Sequence, residues 1–202
     1  MTAAAGLPWR VRGFASALAE SRPPSAPASV TSGAEIEALR GRDPEAWRLL
    51  FEREMRSIYR YALGRLGDGS RAEDATAEVF EAAWQNATSL ADRGLPPRAW
   101  LFGIARNVVG THWRRWFRQP PQLSLDALEA PSTNGAIDHD AIDLSQAIAR
   151  LEPAHAEVIT LRFVHGLSLQ EAAATLEVSV DAIKGRQARA LSALREILSP
   201  GS

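Results

Sequence analysis

An acidic segment without a sustained apolar period divides this chain in two and limits each part to a small domain. Residues 119–142 contain three prolines, one glycine and four acidic side chains, but no basic residue. Such a composition is typical of a linker, because it offers little apolar surface to bury. On both sides the apolar residues recur at helical spacing, and no segment alternates as a strand does. The sequence therefore predicts an all-α fold of two small helical domains joined by a flexible acidic linker.

The predicted domains occupy residues 43–118 and 143–198. Residues 22–33 before the first domain consist mainly of proline, serine and alanine. We therefore expect residues 1–42 to form a disordered or weakly structured extension.

Capping residues mark the predicted helix starts. Asp43 precedes a proline at a first helical position, which favours a helix from that point. Ser70 with Glu73, and Ser168 with Glu171, have the spacing of a capping box, in which each residue satisfies a backbone amide of the other.

The composition excludes several classes of protein. The 202 residues include no cysteine, so disulfide frameworks, thiolate nucleophiles and cysteine zinc sites are absent. The apolar runs are far shorter than the roughly 18 residues of a membrane helix. We therefore expect a cytoplasmic protein without membrane insertion.

Basic residues are concentrated in two places although the net charge is −1. Between residues 93 and 125 there are six arginines and no acid, and residues 182–195 likewise contain cations and no acid. The sequence predicts two separate basic surfaces, each suited to an anionic partner.

Residues 168–195 have the pattern of a helix-turn-helix. A short capped helix and a turn of about four residues precede a longer helix, whose predicted exposed side contains Lys184, Gly185, Arg186 and Arg189. In that motif the second helix enters the major groove, where cations reach guanine edges or phosphates. The alternative is a plain helical hairpin with a solvated basic side.

Residues 98–118 interleave arginines with tryptophans. This pattern suits single-stranded bases, because rings stack on bases while cations follow the backbone. The alternative is that the arginines are merely solvated. We expect Trp100 to belong to the core, whereas the pattern leaves Trp113 and Trp116 undecided.

A hydrolase is a further hypothesis. Asp138, His139 and Asp140 could bind a metal together with His112 or His155. That cluster lies in the predicted linker without a capped helix to support it, so we expect no enzyme and no metal site.

Several motifs resemble one known family. Residues 72–84 match A-E-D-x-x-Q-E-x-F-x-x-A-W, with Ala77 in place of the usual glutamine, and residues 98–107 match R-A-W-L-x-x-I-A-R-N. L-R-x-x-x-G-L-S-x-x-E begins at Leu161, and I-K-x-R-x-x-R-A spans residues 183–190. In this order they resemble the extracytoplasmic-function (ECF, group IV) RNA polymerase sigma factors of the sigma-70 superfamily.

The resemblance implies an alternative sigma factor, with sigma region 2 in the first domain and region 4 in the second. Such a protein binds core RNA polymerase and directs promoter-specific initiation. It reads the minus-thirty-five element by a helix-turn-helix and melts the minus-ten element. The implied partners are the polymerase clamp and flap, promoter DNA and an anti-sigma factor, with a monomeric free chain and no cofactor. A sigma-mimic module that sequesters an anti-sigma factor is the alternative.

The resemblance also implies three sets of site residues. The minus-thirty-five duplex is expected to meet Arg162, Ser168, Lys184, Gly185, Arg186 and Arg189. The melted minus-ten bases are expected to meet Asn107, Thr111, Arg114 and Arg115, with one base held by the loop 90–97. Core polymerase is expected to meet the helix that contains Asp74, Glu78, Phe80 and Trp84. Asp74 and Glu78 share one face of that helix, whereas for Phe80 and Trp84 the alternative is that they are wholly internal. Two departures are Gly185, where serine is frequent, and Glu177, where the turn often has glycine.

Overall fold

The computed structural model describes residues 33–91, 95–118 and 146–198, and every regular element within these ranges is helical. The chain forms two compact units, Met1–Gln122 and Leu123–Ser202. The predicted all-α fold is confirmed.

The helices of the first unit are α1 (Gly33–Arg40), α2 (Pro44–Leu66), α3 (Gly69–Gln85) and α4 (Pro97–Arg118), with a 3₁₀ turn at Ala87–Ser89. Those of the second unit from Pro153 onward are α5 (Pro153–Ile159), a π-helical turn (Thr160–Val164), α6 (Leu169–Leu176) and α7 (Val180–Leu198). The predicted linker at 119–142 lies outside the described residues.

Helix α1 falls within the segment expected to be disordered or weakly structured, so that prediction was wrong for the last part of 1–42. Ile36 and Leu39 are buried, and the indole nitrogen of Trp47 donates a 2.9 Å hydrogen bond to the Leu39 carbonyl. This bond adds to the one that the same carbonyl accepts from the Arg42 amide at 3.1 Å, so the end of α1 is held by both. An eight-residue helix depends on such packing rather than on propensity, which the sequence pattern does not reveal.

The starts of α2 and α3 are both capped by aspartate. The Asp43 carboxylate accepts a 2.8 Å hydrogen bond from the Ala46 amide, as the sequence predicted. Helix α3 begins earlier than predicted, because Asp68 accepts the Arg71 amide at 2.8 Å. The expected capping box at Ser70 was therefore wrong, and a charged acceptor two residues earlier takes its place.

Aromatic pairs join α2 to the other long helices of the first unit. The edge-to-face pairs, with their centroid distances, are Phe51–Phe80 (4.8 Å), Trp47–Trp84 (5.2 Å) and Tyr61–Phe102 (5.7 Å). Such contacts add to the burial of apolar surface and fix the relative rotation of the helices.

A buried carboxylate joins α2 to the start of α4. Glu54 is only 4% exposed; its Oε1 lies 3.1 Å from the Arg53 Nε and its Oε2 lies 3.8 Å from the Arg98 Nε. Arg53 also binds Glu35 of α1 at 2.8 Å. Although partial burial opposes the charged form, Glu35 and Glu54 raise the pKa of Arg53. Arg98 thus pairs with a carboxylate of α2 instead of adding to a solvated basic surface.

Candidate nucleic-acid interface

The helix-turn-helix of the second unit begins with the predicted capping box. The Ser168 amide donates to Glu171 Oε2 at 2.6 Å, and the Glu171 amide donates to Ser168 Oγ at 3.1 Å. The capping box predicted from the sequence is therefore confirmed at this position. It fixes the start of α6, the first helix of the motif.

The turn between α6 and α7 depends on a left-handed residue. Glu177 has φ +55°, and the Val178 amide donates to the Ala173 carbonyl at 3.0 Å. The hydroxyl of Ser179 then accepts the Ala182 amide at 3.2 Å and caps α7. A residue with a Cβ is strained at this φ, so the departure from glycine at 177 has an energetic cost.

We predict that Glu177→Gly raises the free energy of unfolding of the second unit by about 1 kcal/mol, because it removes left-handed strain. Hydrogen exchange of the α6 and α7 amides measures this change within the full-length protein. The control is Ala174→Gly in the exposed interior of α6, which should lower stability by about 1 kcal/mol. Equal effects of both variants would contradict a specific role for φ at 177.

The front of α7 presents basic side chains to solvent. Lys184 and Arg189 are exposed, whereas Gly185 and Arg186 are partly buried. Lys184 pairs with Asp181 at 3.1 Å, and both side chains are more than half exposed, so salt weakens this pair. A Cβ added at Gly185 would lie 3.8 Å from a guanidinium nitrogen of Arg189, which is ordinary contact. The serine frequent in the family would therefore fit here.

Arg162 connects the π-helical turn to α7. This partly buried guanidinium donates from Nη1 to the Leu167 carbonyl and from Nε to Gln187 Oε1 at 3.1 Å. These bonds fix the approach to α6 and the middle of α7. The residue therefore positions α7, a function that sequence reasoning did not assign to it.

One outward face of α4 brings together three of the residues predicted to bind the minus-ten element. Asn107 and Arg114 are exposed. The Thr111 hydroxyl donates to the Asn107 carbonyl at 3.0 Å and accepts from Arg114 Nη2 at 3.2 Å. At 100° per residue Trp100 falls on the same face. It is half-buried there, so the prediction that it belongs to the core was wrong.

Arg115 is separated from that face. It lines a groove with Trp113 and Trp116, whose side chains are 47% and 40% exposed. The tryptophans left undecided by the sequence are therefore surface residues. Arg65 and Arg71 line the same groove. Sequence reasoning missed both, because neither belongs to an acid-free run and only tertiary packing brings them to α4.

Helix α3, which is expected to meet polymerase, exposes only two of the four residues predicted to make that contact. Asp74 and Glu78 are exposed, and Glu78 Oε2 lies 2.7 Å from His112 Nε2 on α4. Phe80 is fully buried against Phe51, so it is internal, which was the alternative to a direct contact with polymerase. Trp84 is half-buried against α2.

Some of the predicted features fall outside the described residues. The loop 90–97 is described at its two ends, and Leu90 is buried there. The cluster Asp138-His139-Asp140 lies wholly outside. Among the residues that the structure covers, no group of metal-ligating side chains is assembled. Over the same residues, no helix is both long and apolar enough to cross a membrane.

Family models match both units of the chain. The model described as Sigma-70 region 2 matches residues 50–118. The model described as Sigma-70, region 4 matches residues 147–196. These matches define a protein of the sigma-70 class, with region 2 in the first unit and the helix-turn-helix of region 4 in the second.

Individual relatives indicate which family within the sigma-70 class this chain belongs to. The ECF RNA polymerase sigma factor BldN of Streptomyces coelicolor is 30% identical over 81% of this chain, which spans only 64% of BldN. The ECF RNA polymerase sigma factor SigD of Mycobacterium bovis is 32% identical, with 82% of each chain covered. The structure of CnrH in complex with the cytosolic domain of CnrY is similar with a TM-score of 0.62 at 25% identity, covering 84% of this chain and 97% of CnrH. The chain belongs to the ECF family of RNA polymerase sigma factors.

Proposed function

We propose that this chain is an alternative sigma factor that binds core RNA polymerase and directs initiation at specific promoters. The observation that carries the proposal is the presence, in one chain, of two exposed basic helical surfaces in the order of regions 2 and 4. The nucleotide-joining chemistry belongs to the polymerase, so this chain needs no catalytic residue or cofactor. Its place of action is the cytoplasm, where it meets polymerase.

Helix α7 is proposed to read the minus-thirty-five duplex. Arg186 and Arg189 are three residues apart and so share a side of the helix. Lys184 and Gly185 directly precede Arg186 in α7, near the front of the helix. The front of a recognition helix meets base edges and phosphates. Ser168 stands at the start of α6, the helix that crosses the DNA backbone in this motif. Arg162 holds α7 in place through its bond to Gln187. We propose that the same guanidinium also contacts a DNA phosphate.

The outward face of α4 is proposed to hold the melted minus-ten strand. Asn107 presents an amide to base edges, and Arg114 presents a cation held by Thr111. Trp100 adds a half-buried ring on the same face, which suits stacking on an unpaired base. Arg115 reaches the same strand from the neighbouring groove.

Polymerase is proposed to contact both units. Asp74 and Glu78 are four apart on α3 and present carboxylates to arginines of the clamp. Phe163 and Val164 of the π-helical turn are 55% and 43% exposed, an apolar surface suited to the flap. An anti-sigma factor that covers such surfaces would hold the free monomer inactive. The solved complex of CnrH with the cytosolic domain of CnrY supports the idea of a protein partner.

Run-off transcription with core polymerase tests the assignment of the two surfaces. Arg189→Ala should weaken binding to the minus-thirty-five duplex by about 1 to 3 kcal/mol. Asn107→Ala should leave duplex binding intact and mainly impair opening. A template premelted at the minus-ten element should therefore rescue Asn107→Ala more than Arg189→Ala.

The matched control for the recognition helix is Ser192→Ala, an exposed position further along α7. It should initiate like the unaltered protein. If Asn107→Ala and Arg189→Ala both initiate normally, the residues assigned to promoter DNA are wrong.

A further inference from the structure

A groove of about 400 Å³ lies between the end of α2, the start of α3 and the last turns of α4. It is separate from the outward face that contains Asn107. Ala105 and Val109 are buried, and His112 and Trp116 stand seven residues further along, so they continue the core side of α4. The groove begins where the side chains on this side of α4 become exposed to solvent.

The groove is positively charged. Arg65, Arg71 and Arg115 line it together with His112, and its lining contains no acidic side chain. Asp68 and Glu78 do not line the groove, but each bonds to a residue that does. Asp68 accepts the Arg71 amide, and Glu78 lies 2.7 Å from His112. Three guanidinium groups thus favour an anionic occupant.

The same groove exposes two indole rings. Trp113 and Trp116 are three apart and therefore lie on neighbouring positions of the helix surface, 47% and 40% exposed. The guanidinium of Arg71 lies over the ring of Trp116. Tryptophan is usually much more buried than this in a folded domain, and a pair beside cations marks a binding surface.

Cations combined with exposed rings fit one chemical class better than others. Phosphates pair with guanidinium groups, and an unpaired base stacks on an indole because every base has a flat aromatic face. A duplex keeps its base faces stacked inside, so it would use the arginines but not the rings. The volume of the groove also lies within the usual range of small-ligand sites, about 300 to 1,000 Å³.

We propose that this groove binds one unstacked nucleotide of single-stranded promoter DNA. The base stacks on Trp113 or on a face of Trp116 that Arg71 does not cover, and its phosphate is held by Arg65 and Arg115. This inference rests on the proposed function. It adds a second single-strand contact beyond the outward face of α4, reached by a strand that passes around the C-terminal end of that helix.

The test uses the full-length protein bound to core polymerase. The probes are non-template-strand oligonucleotides that contain 2-aminopurine at one position at a time. Stacking on an indole quenches this base, so we expect one position with strong quenching outside the minus-ten bases. Trp113→Ala combined with Trp116→Ala should abolish that quenching and weaken oligonucleotide binding about tenfold.

Two variants make the test independent of folding defects. Trp113→Phe combined with Trp116→Phe keeps both rings and should retain most of the affinity. Arg115→Gln should reduce the slope of log affinity against log salt by about 0.7, the value for one phosphate of a single strand. Circular dichroism of each variant verifies its helix content.

Three results would overturn the inference. Equal binding and quenching by the alanine pair and the phenylalanine pair would exclude stacking. An equal loss of duplex and single-strand affinity would indicate a phosphate site without a base. Unchanged oligonucleotide binding with lost polymerase association would indicate a protein-binding surface. If the unaltered protein supports no initiation, the proposed function itself fails; normal initiation with insensitive variants rejects only the groove.

Discussion

Replacing Glu54 by alanine is expected to lower the free energy of unfolding of the first unit by about 3 kcal/mol, the scale of a broken buried ion pair. The carboxylate of Glu54 is 4% exposed and faces Arg53 and Arg98. Its removal leaves two guanidinium groups near each other without the negative charge between them. Because Arg98 stands in the first turn of α4, the orientation of the proposed DNA-binding helix also depends on this pair.

Hydrogen exchange of the α2 and α4 amides measures the effect in the full-length protein. The matched control is Glu52→Ala, two residues away on the same helix. Glu52 pairs with Arg48 at 2.6 Å, but its side chain is half exposed. Exposed pairs contribute about 0 to 1 kcal/mol, so the control should change little. Similar losses in both variants would contradict the structural importance of the buried carboxylate.

Replacing Glu171 by alanine is expected to destabilise the second unit by about 2 kcal/mol, because it removes a helix cap and a buried hydrogen bond. The side chain is 2% exposed and accepts the Ser168 amide at 2.6 Å. Helix α6 has only eight residues, so its start depends strongly on this bond. We also expect weaker binding of the minus-thirty-five duplex, since α6 supports α7.

The variant Glu171→Gln distinguishes the loss of the capping hydrogen bond from the loss of a buried side chain. Glu171→Gln retains an acceptor of the same length, and glutamine also serves in a capping box. Its stability should lie between those of the unaltered protein and Glu171→Ala. The exposed neighbour Gln170→Ala is the surface control and should leave the unfolding transition nearly unchanged. A Glu171→Ala protein as stable as that control would show that the capping box contributes nothing.

Local signals in the sequence predicted those parts of the fold that depend on neighbouring residues. The capping box at Ser168 and the cap at Asp43 both form as expected, because their partners are three residues away. The same logic failed at α3, where two possible caps compete. Asp68 and Ser70 are both good capping residues, and the sequence pattern does not weigh a carboxylate against a hydroxyl.

Features that depend on distant residues were not predictable in this way. Helix α1 is held by the indole of Trp47 and lies beside a proline-rich stretch that indicates disorder. Its C-terminal connection includes Arg42 at φ +58°, whose guanidinium donates to the Trp84 and Gln85 carbonyls at 3.2 Å. These contacts span 42 and 43 residues, so no local pattern contains them.

In the candidate site, too, the sequence predicted what depends on neighbouring residues but not what depends on distant ones. Motif matching assigned Asn107, Thr111 and Arg114 to one surface, and the helical period alone places them together. It left open whether Phe80 is internal and did not indicate that Arg115 turns into a groove, because both depend on how α2 and α3 pack. The matched family motifs therefore give the class of protein, while the exposure of each residue requires the structure.

Mapping of transcription start sites tests the central claim most directly. Core RNA polymerase is incubated on a random promoter library with and without this chain, and the transcripts are sequenced from their starts. We predict that starts appear only with the chain and share two upstream elements at a fixed spacing. A chain that fails to co-elute with core polymerase, or that leaves the pattern of starts unchanged, would contradict its function as a sigma factor.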